Sequence, residues 1–329
     1  MFVKGVYMSR LLKFYIVNTL FLMTSIVYSK DIKKNKEFKT GLSIDNDALA
    51  YNALTVHGTD RHLTNQIDIN FKEIEYFEKG DQVDHIFKNI DAKMMSFGLS
   101  QLIYTPEDLS SKYLINNDRP YAGWLHATGI MAVKKGNSLI LYGVDVGVVG
   151  PNSYSEQVQK GWHSLIKDVT PAGWDNQLKN EFGANLIVKA AKSFRRDDVI
   201  DTELITHVGG SAGNVDTHAE VGATFRVGLN IPDDVGMGIG GDNDKLSFYG
   251  VMKINEKAVI RDIFLDGNTF SNSHSVEKNT FVTTGTVGIT AKYKNFELGF
   301  YYDLISKQFK EQKGVDNQGT LFFNFNKKF

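Results

Sequence analysis

The sequence predicts an all-β fold, a transmembrane antiparallel β-barrel of about 12 strands with a short helical insert in one external loop. Three observations point to it: period-two alternation of apolar and polar residues, strand-like runs of about 10 residues, and a chain that ends in an aromatic-rich strand.

The alternation is clearest in three places. Between 217 and 229, Ala219, Val221, Ala223, Phe225, Val227 and Leu229 oppose His218, Glu220, Gly222, Thr224, Arg226 and Gly228. Between 138 and 148, Ile140, Tyr142, Val144, Val146 and Val148 oppose Gly143, Asp145 and Gly147, and 296–304 repeats the pattern around Leu298 and Phe300. A soluble sandwich alternates too, burying its apolar faces against each other, whereas a barrel turns them to lipid and its polar faces to a lumen. Strand length decides for the barrel, because about 10 residues is what a tilted membrane strand needs. Tyr104, Tyr121, Trp124, Tyr293 and Phe296 near strand ends read as aromatic girdles. The last strand, 320–329, has Leu321, Phe323, Phe325 and the terminal Phe329 on one face.

Taken in order, residues 1–29 read as a cleaved secretion signal. Lys4, Arg10 and Lys13 precede an apolar stretch from Phe14 to Val27, with Val27 and Ser29 at the small-residue positions. Residues 30–329 then form one outer-membrane barrel domain. The absence of cysteine excludes disulfides and thiolate chemistry, and a net charge of −1 argues against a nucleic-acid partner. Thirty glycines and only five prolines suit strands joined by turns.

Thirteen strand-like runs can be counted, but single-chain bacterial barrels use an even number, with short periplasmic turns and long external loops. Tight turns at 134–137, 255–257 and 292–295 are expected inside. Parity is restored by one long bent strand over 183–210 and a periplasmic turn at 210–214. External loops then fall at 47–63, 105–120, 150–182, 231–245 and 267–279, and the 73–92 connection is long for a periplasmic turn.

On this topology three polar groups meet at the external rim. Asp45 and Asp47 end the first strand and are expected to face the lumen, as are Thr64, Asp68 and Asn70 on the second. The third group is the amphipathic helix over 152–167, which sets Gln159 and His163 four apart on one face. Carboxylate, amide and hydroxyl oxygens suit calcium or magnesium better than zinc, and an imidazole nearby can act as a general base on water. Each group also has an ordinary reading: turn chemistry for Asp45, Asn46 and Asp47, a surface histidine for His163, and turn shaping for Arg119 and Pro120.

Several stretches, in order, resemble the lipid A 3'-O-deacylase family of outer-membrane enzymes. They are Ser43-Ile44-Asp45-Asn46-Asp47, 59–65 (TDRHLTN), Ile103-Tyr104-Thr105-Pro106, 118–125 (DRPYAGWL), Gly147-Val148-Val149-Gly150-Pro151, Glu156-Gln157-Val158-Gln159 with Trp162-His163, and Trp174-Asp175-Asn176-Gln177. The resemblance implies a twelve-stranded barrel that removes the 3'-linked acyloxyacyl chain of lipid A, within lipopolysaccharide, in a calcium-dependent reaction; a monomer is expected. It implies a catalytic Asn46 and Asp47 with Thr64, Gln159 and His163, and Asn46 and Asp47 are taken as the metal ligands. The family's lysine falls at Ser111 or Lys112, and Lys112 is taken for that role. His163 would activate water, with calcium and nearby amides stabilising the oxyanion. The family's acidic residue six after the histidine is Val169 here, with Asp168 beside it.

Two rival motifs fail. Gly209-Gly210-Ser211-Ala212-Gly213 matches the serine-hydrolase elbow but lies between strands rather than before a helix, and reads as a glycine-rich turn on the side opposite His163. No histidine precedes a serine by two, as outer-membrane serine lipases require. The alternatives to an esterase are a porin or channel, which needs an open lumen, and an outer-membrane phospholipase. An esterase predicts a filled lumen and a groove open to lipid near His163.

Overall fold

The computed structural model describes residues 36–47, 49, 62–77, 90–239 and 245–328, so the expected signal segment lies outside it. Twelve strands close into one antiparallel barrel. They are β1 (Lys36–Asn46), β2 (His62–Tyr76), β3 (Ala92–Thr105), β4 (Ala122–Lys135), β5 (Ser138–Val149), β6 (Glu181–Arg196), β7 (Asp201–Gly213), β8 (Asp216–Leu229), β9 (Ser247–Asp262), β10 (Phe281–Tyr293), β11 (Phe296–Ile305) and β12 (Asp316–Lys328). Each pairs with its sequence neighbours, and β1 closes on β12 from Glu37↔Lys328 to Asn46↔Gly319. Among the described residues, helix α1 (Ser155–Ile166) lies between β5 and β6 and the one-turn α2 (Ile263–Asp266) follows β9.

The alternation is realised as expected. Phe97, Leu99, Tyr142, Val146, Leu186, Val221, Met252, Ile289 and Leu298 stand exposed on the outer wall. Each such side chain in water forgoes about 1.5–3 kcal/mol, so a belt of this size requires lipid. The turns at 136–137, 197–200 and 294–295 share one end with the start of β1 and the end of β12, the periplasmic end of a bacterial barrel. Gly136 and Lys294 adopt positive φ (57° and 51°) to make two of them.

Twelve strands are right, but the parity repair is not. Residues 183–210 belong to two strands, β6 and β7, not one bent strand. Asn255, Glu256 and Lys257, expected as a turn, lie inside β9, paired with β8 and β10. Asn255 faces the lumen, where its amide and carbonyl bond Glu220 and His207 at 3.2 and 2.8 Å. A polar run that looks like a turn is thus satisfied by a polar lumen. The two errors cancel in the count and invert the intervening topology. Gly209–Gly213 is strand, and the tight β7–β8 turn at Asn214 and Val215 sits at the external end, where Asn214 donates to Glu181 at 2.9 Å. The 231–239 segment, expected outside, is at the periplasmic end. The girdle is also partly overturned: Tyr293 and Phe296 are outward and exposed, but Tyr121 and Trp124 are buried and Tyr104 stacks on Phe264 at 4.2 Å.

The lumen is filled at both ends. From the periplasmic side, residues 231–239 fold back so that Val235 and Ile239 join Ile74, Met94, Ala132, Leu141, Ala191 and Ile205 in one core. Ile231 packs with Tyr249 and Val251 on the far wall, and Lys39 Nζ reaches the carbonyl of Gly238 at 2.8 Å. At the external end Ile263 and Phe264 of α2 pack with Trp124, Val149 and Val215. Arg226 locks the periplasmic plug, pairing with Glu203 on β7 and, at 2.9 Å, with Asp234 of the plug.

Arg226→Met takes the ion-pair partner from two buried carboxylates, Glu203 and Asp234, which costs about 3–5 kcal/mol; a lower urea midpoint in detergent is the expected outcome. Burial pushes the Asp234 carboxyl up, but Arg226 and the amide of Gly236 outweigh it and hold it below the usual carboxylate range. Its stabilisation is therefore complete above the ordinary aspartate value near pH 4 and is lost as pH falls through the lower folded value. Acid loosening of the plug, read by proteolysis of 231–239, is expected only below about pH 4. The filled lumen also predicts no stable open-channel conductance in planar bilayers.

Candidate active site

The expected helix forms, but it lies on the outside of the barrel. It packs on the external ends of β3 and β4 and buries Ser155, Gln159 and His163 against them. The approach is close because Gly123 of β4 has no side chain: a Cβ there would collide with the side chains of Ser153 and Ser155. Gln101 Nε2 donates to the carbonyl of Ser153 at 2.6 Å, and Gly150, at φ 94°, turns the chain off β5 onto the wall.

Two contacts orient the pair. The Trp174 indole donates to Gln159 Oε1 at 2.8 Å, which turns the Gln159 amide nitrogen the other way. That nitrogen is buried and meets no hydrogen-bond partner among the described residues. His163 is 2% exposed, and its Nδ1 lies 2.6 Å from the carbonyl of Val169. A carbonyl only accepts, so Nδ1 carries the hydrogen and Nε2 is the basic nitrogen. Asp168 is turned away: it is exposed, and its carboxylate accepts from the amide of Val169 at 2.7 Å.

Trp174 belongs to a 3-10 turn, Trp174–Asn176, and packs with Ile103, Leu109 and Tyr121 in a cluster on the outer face of β3. Burial pushes the Tyr121 hydroxyl up to about 12, so it is a neutral donor, and it points to the carbonyl of Leu109 at 3.4 Å.

Asn46, at the end of β1, continues the outward face of Leu42 and Ile44, and its Nδ2 donates to the carbonyl of Thr64 at 3.0 Å. Thr64, expected to face the lumen, does not. A bulge between Leu63 and Asn65 shifts the register, and the Thr64 hydroxyl meets that of Thr105 at 2.7 Å, beside Ile103 on the outer face. Asp47 follows β1 and is buried. The expected residues thus gather as two groups on neighbouring strands of one outer wall, Asn46 with Thr64 and Gln159 with His163.

Lys112 stands apart. Its side chain is exposed over the Tyr113 ring, and only its carbonyl ties back, accepting from Asn176 at 3.0 Å. Arg119 is buried over the Tyr104 ring on the lumenal side and is no part of this wall. His62 braces the rim, with Nδ1 2.6 Å from Asp316 and Nε2 3.6 Å from Asp118. Burial opposes ionisation of Asp118, but His62 and the amides of Glu107 and Arg119 hold its carboxyl below the usual range.

As a calcium site, Asn46 and Asp47 offer hard oxygens of the right kind, a carboxylate and an amide carbonyl. No group of three or more histidine or acidic ligands occurs among the described residues. A calcium shell of about six to eight oxygens would need backbone, water or substrate to complete it. Sequence reasoning missed three positioning groups: Trp174, Thr105 and the Val169 carbonyl. The first two lie inside quoted motifs, and the third, a backbone atom, leaves no sequence signal.

The family model described as outer membrane protein LpxR matches residues 16–327. No curated protein matches the chain. Among solved structures, LpxR from Salmonella typhimurium aligns at TM-score 0.73 and 18% identity, over 87% of this chain and 99% of that one, and shares the fold. KdgM porin aligns at 0.41 and 5% identity, over 87% of this chain and 98% of that one. The translocator domain of autotransporter NalP from Neisseria meningitidis aligns at 0.42 and 7%, over 96% and 97%. These last two likenesses are too weak to bear on this chain. With a family match over nearly its whole length and a closed barrel to carry it, this is an outer-membrane protein, and it belongs to the outer membrane protein LpxR family.

Proposed function

We propose that this protein is a calcium-dependent lipid A esterase that hydrolyses the 3'-linked acyloxyacyl chain from the outer face of the membrane. The observation that carries the reading is the Gln159–His163 pair, a histidine in a defined tautomer one helical turn from a buried amide with donors to spare. Its place on the lipid-facing wall, beside a filled lumen, supports an enzyme of membrane lipids over a channel.

In this mechanism Nε2 of His163 takes a proton from water. The resulting hydroxide attacks the ester carbonyl carbon, and the amide hydrogens of Gln159 meet the oxyanion. Collapse breaks the bond to the sugar oxygen, which recovers the proton from the imidazolium. Trp174 and the Val169 carbonyl hold the two side chains in place. Asp47 and Asn46 would hold calcium, which when bound polarises the ester carbonyl. Thr64, braced by Thr105, supports Asn46 through its carbonyl. Lys112 would offer its amine to an anionic part of the substrate from a loop tied to the Trp174 turn.

His163→Ala is expected to lower the deacylation rate by about 10²–10⁴ and Gln159→Ala by about 10²–10³, whereas Asp168→Asn stays near wild type. Mass spectrometry of lipid A treated with each purified variant reads this, and full deacylation by His163→Ala sinks the assignment. Chelation with EGTA should abolish activity, and calcium should restore it in the wild type but not in Asp47→Ala.

A further inference from the structure

Helix α1 reverses the usual pattern of a surface helix, which hides apolar residues and shows polar ones. Its buried stripe is polar: Ser155, Gln159 and His163. At about 100° per residue, Val158, Trp162 and Leu165 project to one side of that stripe and Glu156 and Lys160 to the other. The apolar flank is exposed, Val158 by 36%, Trp162 by 52% and Leu165 by 70%. The charged flank is an ion pair, Lys160 to Glu156 at 2.6 Å. Tyr154 and Ile166, at the two ends of the helix, and Val169 beyond it are also exposed, which extends the apolar surface.

A helix with its back on a wall, one flank greasy and the other charged, has the pattern of one lying in a membrane interface. The wall beneath it continues the same surface. Gln101 holds the start of the insert, and the next outward residues of β3, Leu99 and Phe97, are exposed members of the lipid-facing belt. We propose that the Val158–Trp162–Leu165 flank of α1 is immersed among the acyl chains of the outer leaflet, with the Glu156–Lys160 flank at the headgroups. Resting on the esterase reading, this deepens it: Gln159 and His163 would meet an acyl ester at the depth where it lies, without lifting the lipid into water.

Trp162 reports on this directly, because the other two tryptophans, Trp124 and Trp174, are buried. The full mature protein and a Trp162→Phe variant are reconstituted in phosphatidylcholine vesicles with brominated acyl chains, and their emission spectra are subtracted. The difference signal should be quenched by the brominated chains and shielded from aqueous iodide. Quenching by iodide alone overturns the proposal, and so does shielding from both, which means that protein covers the flank. A Val158→Ser/Leu165→Ser variant should lose about tenfold of its activity on vesicle-embedded lipid A and keep its activity on a soluble short-chain ester. Equal losses on both substrates overturn the link to substrate access. The fluorescence arm needs no catalysis, so failure of the esterase reading leaves it standing, and the two failures are distinguishable.

Discussion

The pairing of β1 with β12 is the contact on which the rest of this structure depends. In hydrocarbon no water is present to bond a free strand edge, so the ring of backbone hydrogen bonds must close. Closure leaves each strand residue only two directions, out to lipid or into the lumen. The outward set becomes the apolar belt, and the inward set becomes a mixture of polar groups and small cores. Once closed, this barrel is not left hollow. The 231–239 segment and α2 enter from opposite ends and supply apolar side chains, while Arg226 balances Glu203 and Asp234 where a charge could not stand alone.

With the lumen filled, the candidate site lies on the outside of the wall. That position is built from small departures from regularity. The bulge at Thr64 turns a hydroxyl from the lumenal to the outer face. Gly123 lets the start of the insert lie flat on β4, and Gly150 turns the chain toward it. A polar stripe that would be ordinary on a solvated helix becomes, against a wall, a buried row in which every hydrogen bond matters.

Legibility followed the physics of each level. Period two is local, so strand faces, the helix and the Gln159–His163 spacing could be read from adjacent residues. Strand order at 183–229 could not. A polar triplet such as Asn255-Glu256-Lys257 is compatible with a turn or with a lumenal strand, and only the neighbours His207 and Glu220 decide which. Direction at the site failed for a related reason: one extra residue at Thr64 reverses the side that alternation predicts. The aromatics were misread because Tyr104 and Trp124 suit a girdle or a core equally well by composition.

By itself, then, the sequence determined the barrel and the spacing of Gln159 and His163 on one helix, because these rest on side-chain period and on motifs held within single segments; it reached twelve strands only through two misplacements that cancel. Only the tertiary structure decided that Asn46, Thr64, Gln159 and His163 lie on the outer side of the wall rather than in a lumen, and that the lumen is filled at both ends. It also decided that a backbone carbonyl at Val169, not the carboxylate of Asp168, holds His163. Those outcomes depend on register, on loop packing and on backbone atoms, for which side-chain identity carries no code.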